Sequence, residues 1–242
     1  MLENVQAYLS KQGVKYIKPE KAGPHKEEME DLKALGQAAR KEMQTLAKLL
    51  EERLAPFKMD RVSNWANQAQ ICRPHFWCYY RAPEDSLDDV AMAIRLYGQP
   101  EKWGISVEVS FVERKKSDTT LAKQHKVLDL PIAPSLYYFA QENGVSHRVE
   151  GTEDNRQMLK EAVRDNRVRK VLVKYDVPVT TSETIEELVE KLADGFDKLK
   201  PYYEKANKTK KSPGSFWRFS LLFWCNHFST AHVRTKNFRD SY

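Results

Sequence analysis

Glycine is scarce in this 242-residue chain, and its nine copies are scattered singly. Neither G-x-G-x-x-G nor a phosphate-cradling glycine loop occurs, which excludes nucleotide binding through loops of that kind, and G-x-S-x-G is absent too. The three cysteines, Cys72, Cys78 and Cys225, are odd in number and lack metal-ligand spacing. They supply neither a disulfide framework nor a thiolate zinc site, and they suit a reducing cytoplasm. His75, His125 and His147 lie far apart, without the H-x-H or H-E-x-x-H spacing that would bring two imidazoles to one metal. No apolar run approaches the roughly 20 residues that span a bilayer. The first twenty residues show no basic segment followed by an apolar stretch, so no secretory signal is read there.

What is present is charge, at 31% of residues, on an ordinary apolar fraction. That balance describes a globular chain with room for a sizeable core in one domain. The formal charge of +6 is unevenly placed. From Asn207 onward seven basic residues face Asp240 alone, which accounts for the whole excess, so residues 1–206 balance at zero. The basic character therefore belongs to the C-terminal segment. The charge of the folded body does not support nucleic acid as a partner.

The clearest ordered pattern runs from Ala91 to Arg114. Ile105, Val107, Val109 and Phe111 fall on every second position, and Met92, Ile94 and Leu96 alternate with Ala93, Arg95 and Tyr97. This is the period of two half-buried strands. Gly98 to Gly104, containing Pro100, reads as a loop between them. Keeping both apolar sets on one side places Arg95 opposite Glu108, Tyr97 opposite Ser106 and Ala93 opposite Ser110. An exposed Arg95–Glu108 pair would contribute well under about 1 kcal/mol.

The remaining elements are read by the same rules. Residues 1–24 carry little pattern. A long amphipathic helix is expected over 25–54, a short one over 119–126 and another over 153–164. Asn143-Gly144 marks a hairpin within 136–150. Val168 to Val177 reads as a more central strand. A final helix runs over 184–205, with Thr184 and Glu187 at capping-box spacing and Pro201 expected to end or kink it. The expected fold is α+β: a mostly antiparallel sheet of roughly five or six strands flanked by three main helices. Residues 1–206 make one domain, and 207–242 form a basic and aromatic extension separate from it.

His75 to Arg81 reads as an aromatic strand with His75, Trp77, Tyr79 and Arg81 on one face. Placed beside the hairpin, it would join His75, Trp77 and Tyr79 to Arg95, Tyr97 and Glu108 on one polar, aromatic surface suited to a small molecule or a protein partner. The plainer alternative is that the long helix covers these rings as core. Asn64, Asn67, Gln68 and Gln70 crowd a segment around Trp65, where amides serve a ligand or, more commonly, loop backbone. A second functional class is a Mg²⁺-dependent nuclease of the D/E-x-K type. Asp88 or Asp89 would hold the metal with Glu113, and Lys115 would position or polarise the attacking water.

Five segments, SNWANQAQICRPHFW, GISVEVSFVERKKSDTTLAKQ, VEGTEDN, VRKVLVKYDVP and PYYE, resemble an uncharacterised conserved-hypothetical family of bacterial cytoplasmic proteins. Some of its members are labelled glucose-6-phosphate dehydrogenase. The resemblance spans about residues 54–205 and implies a cytoplasmic location. It brings no catalytic residues, and the dinucleotide fingerprint that the label would require is missing.

Overall fold

The computed structural model describes residues 2–180 and 182–208. Seven strands form one sheet: β1 (Lys58–Met59), β2 (Trp77–Arg81), β3 (Ala91–Gln99), β4 (Lys102–Ser110), β5 (Tyr137–Glu142), β6 (Val145–Val149) and β7 (Val168–Pro178). Their order is β1-β2-β3-β4-β7-β5-β6, and every neighbouring pair is antiparallel. The helices are α1 (Glu3–Leu9), α2 (Lys26–Arg53), α3 (Thr120–His125), α4 (Glu153–Arg164) and α5 (Ile185–Asn207). The fold is α+β on an antiparallel sheet, with one strand more than expected. The additional one is the two-residue β1, too short to carry an alternation of its own.

One apolar core lies between the sheet and the long helices. Met92, Ile94 and Leu96 of β3, Val107 and Val109 of β4, and Val171 and Val173 of β7 are buried with Leu46 and Leu50 of α2 and Leu188, Leu192 and Phe196 of α5. The alternation that marks the strands is the alternation that builds this core. Gly36 sits in the middle of α2 because Trp65 packs onto the helix there. A Cβ on Gly36 would lie 2.5 Å from the indole.

Several expectations change. The 98–104 connection is a tight turn, since Gln99 pairs with Lys102 and leaves only Pro100-Glu101 between the strands. Strand β7 holds that end of β4 in the sheet by pairing Gly104 with Pro178. The shorter turn slides the register by two residues: Arg95 faces Ser106, Tyr97 faces Gly104, and Ala93 faces Glu108. A slide of two preserves the side of every paired residue, so Arg95 and Glu108 still share a face, as diagonal neighbours, whereas Phe111, expected on the core face, lies past the end of β4 and turns to the opposite side.

The N-terminal segment is also more ordered than its pattern suggests. Val5, Tyr8 and Leu9 of α1 are buried, and Glu42 of α2 accepts from the backbone amides of Asn4 (3.3 Å) and Val5 (2.9 Å). A carboxylate distant in sequence thus caps the helix. Helix α5 carries the expected Thr184–Glu187 capping box and continues six residues past Pro201. Tertiary contacts hold those last turns. The Tyr202 hydroxyl donates to the carbonyl of Pro131 (2.7 Å), that of Tyr203 donates to Asp85 (2.5 Å), and Asn207 pairs with both backbone groups of Val90. Asn207 therefore belongs to the body. The rest of the expected extension, residues 209–242, lies outside the described residues.

Candidate functional site

Among the described residues, no α-helix lines the cleft on the second face of the sheet. Strand β2 does lie beside the hairpin, with Trp77 opposite Arg95 and Tyr79 opposite Ala93. Phe76, Cys78 and Tyr80 point into the core, so Trp77 and Tyr79 turn to the other side. The long helix packs on the core face, and the aromatic residues of β2 are divided between core and cleft. A register shift at Gln141/Glu142 marks an irregularity of the bulge type, which bends a strand. The sheet curls around a cleft of about 570 Å³ that no α-helix lines. Ligand-sized cavities run from about 300 to 1,000 Å³.

The floor of the cleft is ionic. Glu108 is wholly buried and Lys174 is 5% exposed. Arg95 donates to Glu108 Oε1 through Nε (3.0 Å) and Nη2 (2.6 Å). Lys174 Nζ stands 3.3 Å from Oε2 without hydrogen-bond geometry, so Oε2 is buried with no hydrogen bond. Burial alone would raise the Glu108 carboxyl, but Arg95 and Lys174 outweigh it and hold it at about 2. Burial would lower Arg95 as well, and Glu108 reverses that and raises it. The pair expected on a solvated surface is therefore the centre of a buried ionic triad.

Aromatic rings form the walls, and cations lie on them. The guanidinium of Arg73 is 4.6 Å from the Trp77 ring centre and that of Arg95 is 5.5 Å away. Lys170 lies 5.5 Å from the Phe111 ring and Lys174 4.9 Å from Phe139. Such contacts fix the position of a cation while leaving its hydrogen-bond donors free. His75 packs against Trp77, with ring centres 5.6 Å apart. Its imidazole is lowered to about 4, chiefly by burial and then by Arg95, so it is neutral at pH 7.

Of the six expected binding residues, His75, Trp77, Tyr79, Arg95 and Glu108 line the cleft. Tyr79 is buried there and donates to the carbonyl of Phe111 at 3.1 Å. Tyr97 does not line it. Burial and the neighbouring Asp176 carboxylate push the Tyr97 hydroxyl up to about 12. Arg81 is engaged by Asp60 (3.2 Å) and the Ser86 carbonyl (3.1 Å).

The residues of the nuclease reading have other partners. Asp89 pairs with Lys123 of α3. Glu113 stands at the rim and accepts from Arg169 (2.8 and 3.0 Å), Lys170 (3.0 Å) and Lys116 (3.3 Å). Arg169 foremost holds its carboxyl at about 2. Lys115 is exposed on the turn after β4. Among the described residues no group of three or more His, Cys, Asp or Glu is placed to hold a metal ion.

Sequence reasoning missed Arg73, Lys170, Lys174 and Phe139. Lys170 and Lys174 were readable in principle, because they alternate with Val171 and Val173 of β7. Arg73 lies in a loop with no period to reveal it. No protein-family model and no curated protein sequence matches the chain.

Proposed function

We propose that the chain is a binding domain whose second sheet face takes up an anionic ligand in the cleft over Arg95, Glu108 and Lys174. The observation that carries this reading is the triad itself. A buried ion network adds little stability over apolar side chains of the same volume, so its presence at the floor of a cleft points to use. Five cations, Arg73, Arg95, Arg114, Lys170 and Lys174, line the cleft against Glu108 and Glu113. The site is locally basic although residues 1–206 balance at zero, and local sign governs what enters.

Native mass spectrometry of the purified full chain tests the reading. A retained small molecule is expected in the parent and is reduced or lost in Trp77→Ala, which removes the wall of the cleft and leaves the core face untouched. Equal retention in the two proteins would count against it. The second class, a D/E-x-K nuclease, predicts cutting of DNA or RNA with Mg²⁺ that Lys115→Ala abolishes. With Glu113 held by three cations, no cutting is expected.

A further inference from the structure

The cleft does not end at Arg73. A second cavity of about 620 Å³ adjoins it, lined by Asn64, Asn67, Gln68 and Gln70, and the two cavities share Arg73 and Arg114. The amide-crowded segment noted in the sequence thus opens toward the charged face. Part of it is structural. Asn67 Oδ1 accepts from the Ile71 amide (3.0 Å) and Asn64 Oδ1 from Arg61 (3.0 Å).

The two shared arginines lack the partners that guanidinium groups ordinarily have. Among the described residues neither is paired with a carboxylate, and Arg73 Nε is buried with no hydrogen-bond partner. The carboxylates of the cleft are already engaged, Glu108 by Arg95 and Lys174, and Glu113 by Arg169, Lys170 and Lys116. Burial and the nearby Arg114 both disfavour charge on Arg73. A half-buried guanidinium whose Nε is out of water and unpartnered, held beside another cation, gains from an anion that completes it.

The backbone nevertheless fixes Arg73 in place. Its amide donates to the carbonyl of Trp65 (2.9 Å) and to the hydroxyl of the buried Tyr8 (3.0 Å). Pro74 restricts it to extended geometry. Its side chain rests on Trp77.

We infer that Arg73 and Arg114 form an oxyanion clamp at the junction of the two cavities, selecting a phosphate-bearing ligand whose uncharged polar part lies along the amide-lined cavity. The inference rests on the cleft reading above and names the ligand class. A dianion matches the local excess of cations better than a single carboxylate does. Paired guanidiniums present planar forks of donors to phosphate oxygens.

Isothermal titration calorimetry of the full chain at low salt, with inorganic pyrophosphate, phosphate and acetate as probes, tests it. Pyrophosphate is expected to bind one to one, phosphate more weakly, and acetate not measurably. Arg114→Gln and Arg73→Gln should each weaken pyrophosphate about tenfold or more. Arg114 is exposed, so its variant should unfold at the parent's temperature, which separates lost binding from lost folding.

Absent pyrophosphate binding, or binding unchanged in Arg114→Gln, overturns the clamp. A Trp77-dependent retained ligand together with no pyrophosphate binding would sink the clamp and spare the cleft. Arg114-dependent pyrophosphate binding that Trp77→Ala leaves intact, with no retained ligand, would do the reverse.

Discussion

Glu108 shows how far a residue's role depends on what closes over it. On an exposed strand face its ion pair with Arg95 would be worth a fraction of a kcal/mol. Here the carboxylate is wholly buried between two cations, and removing one partner strands the others. Glu108→Gln is expected to lose about 3–5 kcal/mol, read as a lower urea midpoint at unchanged slope.

His75 gives a pH dependence of definite sign. Its imidazole is at about 4 in the folded chain and ordinarily near 6.5. Between those values the unfolded chain binds more protons, so the stability present above pH 6.5 falls away as the pH drops toward 4. Comparing urea midpoints of the parent and His75→Gln from pH 7 to pH 4 isolates this contribution. The parent should lose about 1–3 kcal/mol more than the variant. Equal losses would show that the imidazole is not held neutral by its surroundings.

At the scale of elements, local pattern and tertiary contact divide the work visibly. Helix α4 occupies Glu153–Arg164 as its spacing required, and the 143–144 turn joins β5 to β6 with Asn143 and Gly144 both at positive φ (49° and 81°). Helix α5 starts at its local capping box, but its end was decided elsewhere, by Tyr202, Tyr203 and Asn207 reaching loops that the sequence places far away. Gly36 makes the same point inside α2. Helix propensity alone would have Gly36→Ala stabilise by about 1 kcal/mol. Because the new Cβ would meet Trp65 at 2.5 Å, a net loss of about 1–3 kcal/mol is expected instead. Thermal unfolding of the variant decides the sign.

For the whole molecule, the division of charge matters more than its total. The internal ion network is shielded from salt by burial, whereas the mouth of the cleft faces solvent. Raising sodium chloride from 0.05 to 0.5 M should therefore weaken uptake of an anionic ligand several-fold. Over the same range the unfolding free energy read from urea melts should change by less than about 0.5 kcal/mol. Parallel losses in binding and stability would mean that the triad is not screened from solvent.

Features that rest on short-range periodicity were legible along the chain. The alternating faces of the strands, the hairpin at 143–144, the long helices and their start signals, and the shared side of Arg95 and Glu108 follow from residues alternating every two or every three to four positions, whereas the seat of Trp77 beside them needed the pairing of β2 with β3. The tertiary structure alone decided the exact register of β3 and β4 and the burial of Glu108. It also brought Lys174 to that carboxylate, set Arg73 and Lys170 in the same cleft, and carried α5 past Pro201. Those outcomes rest on contacts between residues tens of positions apart, and local spacing holds no information about which distant cation closes over a carboxylate.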